Sequence, residues 1–192
     1  PDIGVVGEEF DSCEQDVPLK LIVDPIDGTS NFIRGIPIFG TLLAIESNGQ
    51  IISGLISNGA TQERWIGTKG QGYSYNHTPI HVSSIQTIEE SQAFYGSLFG
   101  NEARGDLDSL LNLLKQTKRQ RGIGDYLMHM WVANGYGEFA IDFGLQPWDL
   151  APIGIIIEEA GGTITQIDGS PFSIYKKSIL TSNGQFHHKL II

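Results

Sequence analysis

The stretch Asp24-Pro25-Ile26-Asp27-Gly28-Thr29 sets two carboxylates three residues apart at the end of an apolar run and follows them with a glycine and a hydroxyl. Pro25 drives Asp24 toward extended backbone and fixes its own φ, so the strand end presents Asp24 in a defined direction. Gly28 permits a tight turn. The segment from Gly28 to Phe32 can then open a helix whose free N–H groups favour an anion. Two carboxylates aimed at one point repel each other unless a cation sits between them. Acids for a cation beside amides for a phosphate suit metal-assisted phosphoryl chemistry, and the Ile26 carbonyl between the two acids is another hard oxygen ligand. Taken alone, the same acids also read as turn and helix-cap residues.

Two further segments bear on that choice. Gly7-Glu8-Glu9 puts acids at another strand end, and Pro147-Trp148-Asp149 puts one at a helix start. Glu8 by itself is a surface acid and Asp149 by itself an N-terminal helix acid. The three segments together fit one metal cluster better.

The elements that must position these acids follow from pattern. Residues 2–10 read as a short strand ending in acids, and the run Leu19–Val23 as a second, nearly all apolar strand. Residues 39–58 are two apolar runs around Ser47-Asn48-Gly49-Gln50, a hairpin signal. The meander continues through residues 62–76 and 79–83. Beyond Ser84 the texture changes. Residues 107–116 and 124–135 have helical spacing, residues 138–144 form a strand, and residues 147–162 run from Pro-Trp-Asp to Gly-Gly as a helix with start and stop signals. Pro152 is placed near the first turn of that helix, where proline disrupts least. Two strands, 163–169 and 178–184, and a short C-terminal helix complete the chain. The expectation is a two-part α/β (α+β) protein, with a sheet lobe over 1–84 and an α/β lobe over 85–192.

Composition bounds the function. The chain has 192 residues, 40% hydrophobic and 18% charged, as in globular proteins generally. Its 22 acids against 12 Lys and Arg give a net charge of −10, which argues against nucleic acid as a partner and leaves open phosphorylated small molecules where metal cations mediate. No run approaches the roughly 20 apolar residues of a membrane span. Cys13 is the single cysteine, which excludes an intrachain disulfide and a cysteine-based zinc site and reads as a bland half-buried thiol. A cytoplasmic setting is the inference.

Gly7-Glu8-Glu9, Asp24 to Thr29, Trp148-Asp149-Leu150-Ala151 and the helix ending Glu158-Glu159-Ala160-Gly161-Gly162 together resemble the inositol monophosphatase family, in the same order and over nearly the whole chain. The resemblance implies a Mg²⁺-dependent phosphomonoesterase with a layered α-β-α-β-α fold and two or three metal ions, Mn²⁺ being a possible substitute. It implies a homodimer acting on a small phosphorylated metabolite. Glu8, Asp24, Asp27, Asp149 and the Ile26 carbonyl would be the metal ligands. Gly28 and Thr29 would hold the phosphate, and Glu8, Asp27 and Thr29 would form the catalytic set. In the family the threonine that orients water pairs with an aspartate upstream of the Gly-Glu-Glu segment, on the second of two N-terminal helices. Here six residues precede Gly7, so a missing N-terminal segment is expected.

Substrate choice must come from groups facing the leaving alcohol. Asp125 stands where inositol phosphatases carry small or hydroxyl residues, and Asp142, seven residues before Asp149, where they use a glutamate. Two additional anions favour a cationic leaving group. Gly124, Asp125, Tyr126 and His129 are similar to the histidinol-phosphate phosphatase branch, which implies a role in histidine biosynthesis. Asp125 also reads as a helix N-cap, and His129 as core. His77, His81, His187 and His188 read as surface residues, Trp65 and Trp131 as core. Arg34 either steers phosphate or caps the helix after Thr29. Lys69 lies in a Gly-rich loop that lacks the Gly-Lys-Ser/Thr ending of a P-loop. The first alternative is an inositol monophosphatase or broad sugar-phosphatase on the same site, and the competing reading from another class is a metal- or phosphate-binding module without turnover.

Overall fold

The computed structural model describes residues 3–9, 17–98 and 107–192; Cys13 and the end of the Gly96–Gly100 segment lie outside them. A seven-stranded sheet is built in chain order from β1 (Gly4–Gly7), β2 (Leu19–Asp27), β3 (Gly40–Ser47), β4 (Gln50–Asn58), β5 (Glu63–Thr68), β6 (Gly72–Tyr75) and β7 (Thr78–Pro79). β1 runs parallel to β2, and every later pair is antiparallel. The β3–β4 turn is the expected two-residue hairpin, with both Asn48 (φ 50°) and Gly49 (φ 77°) left-handed. The second sheet has the order β11-β12-β10-β8-β9, from β8 (Gln92–Tyr95), β9 (Arg119–Gly122), β10 (Phe139–Phe143), β11 (Thr163–Thr165) and β12 (Ser178–Ser182).

The helices are α1 (Thr29–Ile33), α2 (Leu107–Leu114), α3 (Asp125–Ala133) and α4 (Pro147–Glu159). α3 and α4 contribute to the larger core with Leu42, Ile56 and Trp65 of the first sheet and Phe94, Ala140 and Ile179 of the second. On the other side of the second sheet, Leu110, Leu113 and Leu114 of α2 join Phe139, Leu180 and Phe186. The result is a layered α/β fold with α3 and α4 between two sheets. The face of the first sheet turned away from α4 carries Leu21, Val23, Leu43, Leu55 and Ile66, all half-buried.

α4 sits close to the first sheet because two strand glycines leave room for it. A Cβ on Gly54 would fall 2.6 Å from Ile155 Cγ2 and 2.9 Å from the Pro152 backbone, and one on Gly67 2.9 Å from Ile156 Cα. Pro152 is the sixth residue of α4, just past the first turn, so the Trp148 carbonyl lacks its usual i+4 amide. The helix runs on regardless, with Leu150 to Ile157 all buried.

Several expectations are corrected. β2 is not confined to 19–23 but continues through Asp27. Of residues 79–83 only Pro79 stays in the sheet; the chain then leaves it, and the Val82 amide donates to the Ala160 carbonyl (3.2 Å) beyond the end of α4. β8 and β9 carry no alternating pattern in Gln92–Tyr95 or Arg119–Gly122 and exist through parallel pairing with β10 and with each other. The C-terminal helix is a single 3-10 turn, His187–Lys189.

Gly54→Ala should force α4 away from β4 and lower stability by about 1–3 kcal/mol, the usual cost of overpacking. Thermal and urea unfolding would show it as a lowered midpoint, and an unchanged midpoint would contradict the close approach as drawn.

Candidate metal centre

Residues three apart on a regular strand point to opposite faces, yet Asp24 and Asp27 converge. Asp24 pairs with Leu42 and Asp27 with Gly40, so β2 spends one residue more than β3 between those two pairs. The bulge restores phase and brings both acids to the same side. Pro25, with no N–H to give, falls inside this break in the ladder, and its carbonyl accepts from Thr41 Oγ1 (2.9 Å). Asp149 arrives from the first turn of α4. One oxygen from each of Asp24, Asp27 and Asp149 lies within 4.8 Å of the others.

Each of these carboxylates is aimed by a backbone amide. Asp24 Oδ1 accepts from the Ile26 amide (2.9 Å), Asp27 Oδ2 from the Tyr126 amide (2.8 Å) and Asp149 Oδ2 from the Gln146 amide (2.8 Å). The Asp149 bond is half of a capping box at the start of α4. Such supporting hydrogen bonds fix ligand orientation in metal sites. The Ile26 carbonyl accepts from Thr29 Oγ1 (2.9 Å) and keeps a second lone pair. Glu8 is exposed just after β1 and close enough to act on both Asp24 and Asp149. Gly28, left-handed at φ 80°, caps α1, and a Cβ there would sit 2.7 Å from the Ile38 carbonyl. The first amides of α1 with internal partners belong to Asn31 and Phe32, both bonded to the Gly28 carbonyl.

The electrostatics are those of an anion cluster partly withdrawn from water, with Asp24 buried and Asp27 and Asp149 half-buried. Burial first, then the neighbouring Asp149 and Glu8, push Asp24 up to about 7. Burial, followed by Asp125 and Asp149, holds Asp27 well above the usual carboxylate range. Asp149 rises to about 6, mainly through burial, against the opposing Gln146 hydrogen bond. Among the described residues the only ion pair is Lys20–Glu46, away from these acids. Oxygen-only donors, oriented by amides and lacking a protein cation, fit a hard divalent ion.

The structure also places the remaining candidates. Asp125 joins the site: its Oδ2 accepts from Asn31 Nδ2 (2.6 Å) on α1 and would be 3.2 Å from a Cβ on Gly28. It is not an N-cap. Gly124 holds that position in extended backbone, while Asp125 is left-handed at φ 57°. Burial raises its carboxyl, and the Asn31 bond opposes the shift. Asp142 is buried on β10, its Oδ1 accepting from the Phe143 amide (2.9 Å) and lying 2.0 Å from where a Cβ on Gly96 would be. His129 takes the core alternative. It is fully buried, its Nδ1 is 2.9 Å from Thr181 Oγ1, and burial lowers it to about 3. His187 is also buried, contrary to the surface expectation, bonding Ser182 and Thr165. Arg34 takes the helix-capping alternative, with Nη1 on the Ser30 carbonyl (3.0 Å). Trp65 is core as expected. The Asn31 contact was missed in the sequence, because nothing local connects two residues 94 positions apart.

A bulged strand bearing two acids, a third acid at a helix start and a glycine-capped turn beside them define a layered α/β hydrolase of phosphate esters that works with metal ions. The chain belongs to the inositol monophosphatase family, whose pattern matches residues 1–192. It is 36% identical to a histidinol-phosphatase of Streptomyces coelicolor, with 100% of this chain and 74% of the relative aligned. It is 34% identical to one of Mycobacterium tuberculosis, over 100% and 75%. The solved inositol monophosphatase of Anabaena superimposes with a TM-score of 0.90 at 29% identity, covering 99% of this chain and 77% of that one. Among the described residues no helix is long and apolar enough to cross a membrane.

The raised carboxyls predict a pH dependence. A group whose folded pKa lies above its unfolded value stabilises fully below the unfolded pKa and loses that contribution as pH rises through the folded one. The metal-free protein should therefore lose stability as pH rises from about 4 to about 7, the span from free carboxyls to Asp149 near 6 and Asp24 near 7. Added Mg²⁺ should reverse the loss with release of protons. Thermal melts at stepped pH, with and without Mg²⁺, check it, and Asp24→Asn should flatten the metal-free slope.

Proposed function

We propose that the protein is a Mg²⁺-dependent phosphomonoesterase acting on L-histidinol phosphate. The observation that carries the substrate reading is Asp125, which lies beside Gly28 and next to the metal acids and is fixed by Asn31. An additional carboxylate at the edge of a phosphate site favours a leaving group that bears positive charge. Histidinol phosphate has an ammonium and an imidazole, whereas an inositol phosphate offers neutral hydroxyls. The names of the relatives from Streptomyces coelicolor and Mycobacterium tuberculosis agree with this reading.

The roles follow from chemistry. Glu8, Asp24, Asp27, Asp149 and the Ile26 carbonyl would hold Mg²⁺, which when bound supplies charge neutralisation for the phosphate and acidifies water. The amides of Gly28 and Thr29 would hold the phosphate oxygens at the start of α1. Thr29 Oγ, already committed as donor to the Ile26 carbonyl, would accept a hydrogen bond from the attacking water and orient it. Asp125, backed by Asn31, would receive the ammonium of the leaving alcohol. Attack would be direct and in line, without a phosphoenzyme, because the carboxylates would be committed to the metal and the Thr29 hydroxyl proton to the Ile26 carbonyl. Gly124 supplies the extended N-cap from which Asp125 projects. Asp142 would lend a second negative charge from β10.

An inositol phosphatase on the same site is the second reading, favoured by the likeness to the Anabaena structure. Phosphate release with Mg²⁺ on histidinol phosphate, inositol 1-phosphate, fructose 1,6-bisphosphate and 3′-phosphoadenosine 5′-phosphate separates them. Histidinol phosphate should be preferred, and Asp149→Asn should abolish turnover of every substrate. Asp125→Ser should lower kcat/KM for histidinol phosphate by about 10- to 100-fold, the scale of a lost charged hydrogen bond, while sparing inositol 1-phosphate. Equal losses on both substrates would make Asp125 a structural residue. Mg²⁺ binding with no turnover on any substrate would favour the binding module.

A further inference from the structure

Helix α4 has a second populated end. Its N-terminus carries Asp149 to the metal acids. Its residues Ala151, Gly154, Ile155 and Glu158, about 3 to 14 Å beyond Asp149 by helical rise, form the floor of a cavity of about 440 Å³ bounded by the β3–β4 hairpin and the 172–175 loop. That volume lies in the range of small-molecule sites, about 300–1,000 Å³. Ile51, Ile155 and Phe172 make an apolar lining. The Phe172 ring lies directly on Gly154, where a Cβ would come within 2.6 Å of it, so the aromatic wall is seated flush against the helix.

One acid enters this apolar space from within. Glu46, on β3, is 7% exposed. Among the described residues its one polar partner is Lys20 Nζ at 3.7 Å, beyond hydrogen-bond length. Its oxygens reach the solvent of the cavity, and a carboxylate has about four acceptor sites, so acceptors remain beside the Lys20 ion pair for a donor that enters. At the rim, Glu158 adds a second carboxylate and Lys69 the single lining cation. A buried acid next to an aromatic and two aliphatic walls is the chemistry that recognises an amine with an apolar body: charge-assisted hydrogen bonds for the head, dispersion and cation–π contact for the rest.

We propose that this cavity is a binding site for a small organic cation, with Glu46 receiving its ammonium and Ile51, Ile155 and Phe172 its apolar body. It is distinct from the metal centre and goes beyond the proposed reaction. Calorimetric titration of the protein with 2-phenylethylamine, in saturating Mg²⁺ so that the metal acids are occupied, tests it. One-site saturable binding is expected, weakened by about tenfold or more in Glu46→Gln through loss of a charge-assisted bond. Binding should be unchanged in Asp125→Ser and absent for the neutral 2-phenylethanol. Should Glu46→Gln fail to fold, Ser173→Trp, which fills the cavity from the half-exposed loop, must abolish the binding instead. Equal binding of the alcohol, binding indifferent to Glu46→Gln or to Ser173→Trp, binding lost with Asp125→Ser, or no saturable heat would each overturn the proposal.

Discussion

Three carboxylates from two elements, β2 and α4, are held within 4.8 Å of one another with no lysine or arginine among the described residues to neutralise them. Like charges so close, shielded from water, raise each other's proton affinity, and the metal-free site answers by binding protons. Bringing them together nonetheless requires α4 to lie tight against the first sheet. The side-chain-free surfaces of Gly54 and Gly67 make that possible, and the fully buried run Leu150–Ile157 supplies the apolar area that opposes the repulsion. The repulsion is offset a second time, locally, by the amides of Ile26, Tyr126 and Gln146, one for each acid. A divalent cation removes the remaining conflict, so the site is built to be completed by metal.

The same constraint explains the position of Asp125. The Tyr126 amide that aims Asp27 belongs to the first turn of α3, so α3 must begin at the metal centre. The residue before Tyr126 is thereby forced into the site in left-handed backbone, a conformation costing an ordinary side chain about 1–2 kcal/mol and tolerated best by glycine, asparagine and aspartate. Aspartate in that place does two things at once: it accepts the strain, and it reaches Asn31 across the mouth of the phosphate turn. The Asp125 carboxylate and the Tyr126 amide that serves Asp27 are thus set by the same first turn of α3.

α4 is also the element that separates the two candidate sites. Its first turn faces the acids of β2. Its later turns face Glu46 on β3 and the Phe172 wall.

The sequence by itself determined the acids and the elements that carry them. The meander of the first sheet, its Asn-Gly hairpin, the helix opening at Pro147 and the apolar runs of α2 and α3 are local properties, written in turn chemistry and in side-chain periodicity. The fold family followed from the order of short motifs. What only the tertiary structure decided depends on contacts between distant residues. The bulge that puts Asp24 and Asp27 on one face is set by pairing with Leu42 and Gly40, and neither acid's neighbours reveal it. β8 and β9 have no strand pattern of their own and exist because β8 pairs with the edge of β10 and β9 with β8 in turn. His129 and His187 are interior residues because hydroxyls of β11 and β12 meet their rings. Asp125 sits beside Gly28 rather than at a helix cap, and Asn31, far away in sequence, holds it there. Residue type and spacing specify which chemistry is available; which of those groups share one small volume is a matter of register and packing, and those are settled only when the chain is folded.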